Sequence, residues 1–387
     1  MKRAVVGIAA LFFVPRLILL FVRDPFFDEL FTRWISGHAF AGILQALHYD
    51  SGPPLYYCVI HALGNPPILV IRGISLLFST VPLIALIASR KLTAAALLAV
   101  FPPAVLLAVD ARAYALCAMF VALGILALDR EKPWTAALLF VAAAYSHYYG
   151  ALFLVLLWRN WKALAIAIVL FLPGAWLALH QPRASMAWIG AFPQYPDALF
   201  ARPPIWLAII ALVLLVAAAY RLNRYAAMTL VPLALALALR IYFPLRFESV
   251  IAVPFVLWLS VSAHKKLIPL LIAVGVAICA IGIIDHARRP IDDYRDAALH
   301  LRGLPGPVVA SGYLYLETIM VRPAIAFPPE QALHPGWRAM PSPGSEVPPG
   351  AFLWIGERGA PELAIIRRSR QVTPLYVNEN AAIVKVN

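Results

Sequence analysis

The sequence alternates long apolar runs with short breaks that carry charged, Pro or Gly residues. Runs of this kind are typical of helices that cross a lipid bilayer, which need about 20 apolar residues each. The runs lie near residues 4–22, 68–89, 92–109, 112–128, 133–158, 162–179, 204–220, 225–242, 248–262 and 267–284. The pattern predicts a mainly α protein, a polytopic bundle of transmembrane helices.

Paired basic residues mark the breaks that we expect to face the cytoplasm, because loops on that side carry an excess of Lys and Arg. The pairs are Lys2/Arg3, Arg90/Lys91, Arg130/Lys132, Arg159/Lys162, Arg221/Arg224 and Lys265/Lys266. The run 133–158 has a pair at both ends, so two short helices that meet at YSHYYG (145–150) fit the rule better than one crossing. The total is about eleven crossings, with the N-terminus inside and the chain beyond Ile284 outside.

The first outer loop is expected to extend over residues 23–67. Its last part, residues 50–67, is apolar but contains Pro near both ends, and a crossing there would reverse every later loop. We therefore predict an interfacial helix, with Tyr56 and Tyr57 at the depth of the lipid headgroups.

Composition agrees with a membrane protein. The chain of 387 residues is 63% hydrophobic and 13% charged, with a mean hydropathy of +0.81, which is too apolar for a soluble globular protein. The net charge of +13 comes from basic pairs between apolar runs and not from one continuous patch, so it indicates topology and not nucleic-acid binding. The first run has the length of a crossing and no small-x-small cleavage pattern, so we interpret it as a retained helix.

The C-terminal part, residues 285–387, has the composition of a soluble domain, with ten acidic and eleven basic residues. Helices are predicted at 292–302 and near 313–321, and strands near 307–311, 351–356, 373–377 and 381–386. We therefore expect a transmembrane domain over 1–284 and a small extracytoplasmic α/β domain over 285–387.

Acidic residues concentrate on the expected outer face. Residues 1–284 contain nine of them, and seven fall on that face or at its boundary. The seven are Asp24, Asp28, Glu29, Asp50, Asp110, Asp197 and Glu248. Because ionised groups near the bilayer interior are costly, this asymmetry predicts a polar site outside.

Several arginines lie close to the same face. Arg16 and Arg72 fall inside apolar runs, and the outer ends of other runs carry Arg112, Arg240 and Arg246. Guanidinium groups beside a lipid surface suit a phosphate, which they bind through paired hydrogen bonds. For Arg16 and Arg72 two structural roles stay open: extension to lipid headgroups, or pairing with Asp28 or Asp110.

Short motifs follow these features in a fixed order. They are an outer Asp-Glu pair (28–29), PPLYY (53–57), DARAYAL (110–116), YSHYYG (145–150), RFESVIAVPF (246–255) and DDYRDAALHLR (292–302). In order and sidedness the chain resembles the GT-C superfamily of polytopic glycosyltransferases, in particular the group of protein O-mannosyltransferases and aminoarabinose transferases. The resemblance covers most of residues 1–300.

The resemblance implies an inverting transfer of a sugar from a polyprenyl-phosphate donor to a lipid, glycan or protein acceptor, at the outer face of the cytoplasmic membrane. It implies Asp28 as the general base with Glu29 in support, Asp110 as a second functional acid, and Arg112 and Arg246 as phosphate ligands. Further substrate contacts would come from Arg16, Arg72, Tyr56, Tyr57, Tyr114 and His147. A lipid carrier also fits the absence of a P-loop or dinucleotide fingerprint from the sequence.

The chain departs from the family pattern at two places. Many relatives carry Lys or His directly before the Pro-Pro pair, where this chain has Ser51 and Gly52. The family also does not lead us to expect Glu248 after Arg246 and Phe247.

Other readings of the same residues stay open. Asp28 could serve the first turn of a juxtamembrane helix, and Asp110 could simply pair with Arg112. His147 could be a satisfied interfacial residue, or could share a divalent metal with an acid, although no ligand spacing supports a metal site. For the protein as a whole, two other functions stay open. One is a transporter or flippase of a lipid-linked or anionic substrate, and the other is a non-enzymatic assembly subunit that binds lipid headgroups.

Overall fold

The chain forms two compact units. The computed structural model describes residues 2–23, 26–48, 51–181, 204–288, 300, 304, 308–310, 350, 352–356, 367–368, 371–377 and 381–387. The first, the transmembrane unit, comprises Met1–Val22 and Ala39–Arg288, and the second comprises Arg23–His38 and Arg289–Asn387. Residues 23–38 belong to the second unit, whereas the sequence assigned them to the domain 1–284. The division into domains 1–284 and 285–387 stays a prediction.

The transmembrane unit is a bundle of helices. They are α1 (Lys2–Val22), α3 (Phe40–His48), α4 (Leu55–Ala62), α5 (Ile68–Ala88), α6 (Leu92–Ala99), α7 (Pro102–Leu106), α8 (Tyr114–Asp129), α9 (Pro133–Ser146), the 3-10 helix η1 (Tyr148–Leu157), α10 (Trp161–His180), α11 (Ile205–Ala218), α12 (Arg224–Ala238), α13 (Arg246–Val250), α14 (Ala252–Ser262) and α15 (Leu267–Arg288). Within the described ranges, α1, α5, α10 and α15 are long and apolar enough to cross a membrane, and six further apolar helices are shorter. The mainly helical, polytopic fold class is confirmed, and the number of crossings stays a prediction.

The predicted hairpin within residues 133–158 is present. Helix α9 ends at Ser146 and η1 begins at Tyr148, so the turn falls within YSHYYG. The returning arm is a 3-10 helix and not the α-helix that periodicity favours. A Cβ atom at Gly150 would lie 2.3 Å from the carbonyl carbon of Ala143, so the close return of the chain requires glycine there.

The apolar run 92–109 forms two short helices, because α6 ends at Ala99 and α7 begins at Pro102. Prolines at 102 and 103 lack the N–H groups that a continuous helix would donate to the carbonyls of Leu98 and Ala99. The Arg16 side chain supplies donors instead, with Nη1 2.9 Å from the Ala99 oxygen and Nη2 3.5 Å from the Leu98 oxygen.

Three loops with basic pairs meet at one face of the transmembrane unit. The Asp129 carboxylate lies 3.1 Å from Lys91 Nζ and 3.0 Å from Arg224 Nη2, and it accepts a 2.6 Å hydrogen bond from the Tyr225 hydroxyl. Burial alone would lower the pKa of Lys91, but its hydrogen bonds to Tyr225 and Asp129 outweigh that effect and raise it. The convergence agrees with the positive-inside assignment of these loops to one side, although which side of the membrane they face stays a prediction.

The second unit contains helix α2 (Phe27–Ser36) and a four-stranded sheet. The strands are β1 (Val308–Ala310), β2 (Phe352–Gly356), β3 (Val372–Val377) and β4 (Ala381–Val386), in the order β1-β2-β4-β3. β1 and β2 are parallel, and the other two pairs are antiparallel. All four strands occur where the sequence predicted them, whereas the helices expected at 292–302 and 313–321 fall outside the described residues, apart from His300.

Candidate functional site

A group of polar and aromatic side chains gathers where the α9–η1 turn meets the N-terminal ends of α8 and α13. We call it the arginine–histidine cluster, and it comprises Arg112, Tyr114, His147, Tyr149 and Arg246. The His147 ring lies between two tyrosine rings, 5.0 Å from Tyr114 and 4.4 Å from Tyr149 between centroids. The Arg246 guanidinium is 5.9 Å from the centre of the Tyr114 ring. Four of the residues predicted for substrate contact are therefore brought together, and Tyr149 is an addition that the sequence did not single out.

The His147 ring is held neutral. Burial, followed by the positive charges of Arg112 and Arg246, lowers its pKa from 6.5 to about 3. Its Nδ1 accepts a 3.2 Å hydrogen bond from the backbone N–H of Tyr149, which fixes the ring hydrogen on Nε2. The cluster therefore offers two guanidinium groups and one imidazole N–H, all of them donors suited to an anion.

The backbone next to Arg246 is strained. Leu245, which precedes α13, has a φ of 67°, in the left-handed region that an L side chain rarely adopts. Such conformations cost about 1–3 kcal/mol and occur most often at functional sites. The strain sets the direction in which α13 begins, and with it the position of Arg246.

A buried carboxylate lies two residues further along α13. Glu248 is almost fully buried and accepts a hydrogen bond from the hydroxyl of the buried Tyr242. The Phe247 ring packs edge-on against Tyr149, with 5.1 Å between centroids, and so connects this pair to the arginine–histidine cluster. The sequence indicated Glu248 as an outer acid but gave no sign of its tyrosine partner.

Arg16 has a different environment. Its guanidinium is 1% exposed, stacks 3.7 Å from the centre of the Phe12 ring, and donates to the carbonyls of Phe12, Leu98, Ala99 and Ala104. Arg16 and Tyr114 both line one cavity, whose walls are otherwise mainly apolar. The side chain thus stabilises the broken α6–α7 segment, and its predicted contact with substrate stays a prediction.

Four further candidates lie inside the transmembrane unit. Arg72 and Asp110 are buried, 3% and 2% exposed. Tyr56 and Tyr57 are buried as well, and the Tyr56 hydroxyl hydrogen-bonds to Ser75 of α5 at 3.0 Å. Their rings therefore pack within the protein instead of facing lipid, and the Tyr56 hydroxyl finds on α5 the partner that a buried hydroxyl needs. Their roles in binding substrate stay predictions.

Asp28 and Glu29 belong to the second unit. Both lie in the first turn of α2, where carboxylates interact favourably with the helix dipole. The helix N-cap is Phe26, so neither acid is the cap, and Asp28 is half-buried while Glu29 is fully buried. That these acids meet the arginines of the other unit stays a prediction.

Other expected site segments fall outside the described residues. They are Asp24, Asp50, Asp197 and the aromatic stretch 187–196. Within the described residues, no group of three or more His, Cys, Asp or Glu side chains has the geometry to hold a metal ion.

Comparison with known proteins gives a relation of fold. No protein-family model and no curated protein matches the sequence. Among solved structures, the crystal structure of ArnT from Cupriavidus metallidurans in the apo state aligns with a TM-score of 0.56 over 99% of this chain and 98% of that chain, at 13% sequence identity. The chain has the fold of ArnT. The multi-pass helical membrane fold that the sequence predicted is thereby confirmed.

Proposed function

We propose that the protein is a membrane glycosyltransferase of the GT-C type that transfers a sugar from a polyprenyl-phosphate donor to a lipid, glycan or protein acceptor. Two observations support the proposal. The fold is that of ArnT, an aminoarabinose transferase of the GT-C family. The arginine–histidine cluster presents converging donors for an anion at the end of an apolar bundle, and this second observation carries the assignment.

In the proposed reaction, Asp28 takes the proton of the acceptor hydroxyl as its oxygen attacks the anomeric carbon. The bond between that carbon and the phosphate oxygen breaks, and polyprenyl phosphate leaves with the electron pair. Arg112, Arg246 and the Nε2–H of His147 stabilise the charge that develops on the phosphate. Attack on the face opposite the leaving group inverts the anomeric centre.

The proposed location is the cytoplasmic membrane, with the N-terminus inside and the C-terminal domain outside. This orientation follows from the six basic pairs, and three of the corresponding loops contact one another through Asp129. Membrane lipids would surround the bundle. A divalent metal is not part of the proposal, and a metal shared by His147 and an acid stays an expectation from the sequence.

The direct test incubates the purified protein with a panel of labelled polyprenyl-phosphate sugars and measures release or transfer of the sugar. Asp28→Asn should abolish transfer and leave expression and binding of polyprenyl phosphate intact, because only the base is removed. Glu131→Gln, an equivalent change at an exposed position, is the matched control. Full activity of Asp28→Asn would refute the assignment of the base.

The phosphate site is tested by binding. Arg246→Ala should weaken the affinity for polyprenyl phosphate by about tenfold or more, because a charge-assisted hydrogen bond is worth roughly 1.5–3 kcal/mol. Arg159→Ala, at an exposed arginine of a loop expected to face the cytoplasm, should leave the affinity unchanged. If polyprenyl phosphate binds but no donor releases its sugar with any acceptor, the assembly-subunit alternative is favoured. Movement of a labelled lipid from one leaflet of a vesicle membrane to the other, without sugar transfer, would favour the flippase alternative.

A further inference from the structure

Gln181 joins three separate segments of the transmembrane unit by its side-chain amide. Its Nε2 donates to the carbonyls of Leu47 and Gly52, both at 2.8 Å. Its Oε1 accepts from the backbone N–H of Gly52 at 3.2 Å and from the Tyr148 hydroxyl at 3.0 Å. The Tyr148 hydroxyl also lies 3.4 Å from the Gly52 carbonyl.

These contacts use the whole capacity of the amide. A glutamine side chain has two N–H donors and two acceptor lone pairs, and all four are engaged here. Gln181 is 3% exposed, so water does not compete for these bonds. Only a side chain that both donates and accepts can make these four hydrogen bonds. They explain why glutamine occupies the C-cap of α10, a position where many other residue types could end a helix.

The segments held by Gln181 carry residues of the candidate site. Gly52 lies beside Tyr57, since a Cβ atom built on it would come within 3.8 Å of the Tyr57 hydroxyl. Tyr148 follows His147 directly and opens η1. One amide therefore fixes Gly52, which directly precedes the Pro-Pro pair, against the turn that presents His147.

We propose that Gln181 is a positioning residue of the donor site, which holds the connection around Gly52 in register with the turn at His147. The proposal rests on the proposed function for the identity of the donor, but the geometry it assigns is independent of it. It accounts for Ser51 and Gly52 standing before the Pro-Pro pair, where many members of the resembled family carry Lys or His. In this chain Gly52 is held by hydrogen bonds between its backbone and the distant Gln181.

The test uses two substitutions in the full-length protein. Gln181→Glu keeps the shape but turns an oxygen towards the carbonyls of Leu47 and Gly52, and Gln181→Met keeps the length without polar atoms. Gln45→Glu, at an exposed position of α3, is the matched control. Amide hydrogen exchange of the peptide that contains Gly52 should accelerate about tenfold in both Gln181 variants and remain unchanged in the control, because the N–H of Gly52 loses its acceptor or its fixed geometry.

Transfer kinetics separate positioning from general stability. We expect kcat/KM for the donor to fall by about 10- to 100-fold in the Gln181 variants, through displaced donor contacts. If Gln181 positions the donor, KM for the donor should rise by a larger factor than kcat falls, and transfer should still depend on Asp28. A purely structural defect would instead reduce the amount of active protein and leave KM unchanged. Unchanged exchange at Gly52, or faster exchange with wild-type KM, would overturn the proposal.

Failure of the proposed function gives a different result. Wild-type protein would then neither bind polyprenyl phosphate nor release sugar from any donor. The assignment of Gln181 to a donor site would fall with it, and the exchange measurement would still decide whether Gln181 holds the Gly52 segment.

Discussion

Replacement of Arg16 by methionine should destabilise the transmembrane unit. Methionine keeps much of the length and apolar volume of the arginine stem but removes every donor. The carbonyl of Ala99 then has no helical partner, because residues 102 and 103 are both proline and offer no N–H. The carbonyl of Ala104 loses its 3.1 Å bond to Arg16, and its usual helical donor, the N–H of Ala108, bonds to Val105 instead.

The expected loss follows from these two acceptors. A buried acceptor without a partner costs about 1–3 kcal/mol, so the pair costs about 2–6 kcal/mol. The substitution also removes a buried cation, and the relief of its desolvation offsets part of that cost. We expect a net loss of about 2–4 kcal/mol, which for a chain of 387 residues lowers Tm by about 2–5 °C.

Thermal unfolding in detergent measures the effect. Arg3→Met, the same change at an exposed position of α1, is the control and should shift Tm little. Adding Pro102→Ala and Pro103→Ala to Arg16→Met should recover part of the loss, because it returns the missing N–H groups to Leu98 and Ala99. A Tm equal to that of the control would refute the capping role, and weaker binding of polyprenyl phosphate at an unchanged Tm would establish the substrate contact that the sequence predicted.

Three further results are expected. Asp129→Asn should lower the unfolding free energy by about 1–3 kcal/mol, because the buried carboxylate gives up its charge-assisted bonds to Lys91, Arg224 and Tyr225. Glu131→Gln, two residues away, should not lower it, and equal Tm values for the two variants would contradict this role of Asp129. His147→Gln should retain affinity for polyprenyl phosphate, since the glutamine N–H can replace the Nε2–H of the imidazole. His147→Asn can keep only the contact to the Tyr149 N–H, so its affinity should fall about tenfold. The reverse order of affinities would exclude the assigned tautomer. Wild-type stability should fall as pH drops below 6.5 towards about 3, because the unfolded chain takes up a proton at His147 that the folded chain excludes, and His147→Gln should flatten this slope in thermal scans at pH 7 and pH 5.

Local patterns in the sequence predicted the features that depend on local chemistry. The break at YSHYYG, the four strands and the meeting of basic loops follow from periodicity, β-branched runs and paired charges. Periodicity failed at the run 92–109, where two prolines interrupt an otherwise apolar stretch. It also gave no hint that Arg16 would complete that break, since the two partners are 83 residues apart in the chain.

The same limit applies to the candidate site. Tyr114, His147 and Arg246 could be listed as outer residues, but their convergence depends on how α8, α13 and the hairpin pack. Gln181 was invisible to the sequence because an amide at a helix end is unremarkable until its partners, up to 134 residues away, are known. Long-range hydrogen bonds between polar groups leave no periodic signal, and these are the bonds that shape the candidate site.

The basic residues near the bilayer differ in how their charge is compensated. Arg16 is surrounded by carbonyl oxygens, and Lys91 and Arg224 share the carboxylate of Asp129. At the arginine–histidine cluster, burial and then the charges of Arg112 and Arg246 lower the pKa of His147, so both guanidinium groups act on the same ring. An anion placed there would be attracted by both guanidinium groups and could accept a hydrogen bond from the Nε2–H of the neutral imidazole. A phosphate at the end of a polyprenyl chain meets that requirement, since its charge fits the cluster while its tail fits the apolar bundle.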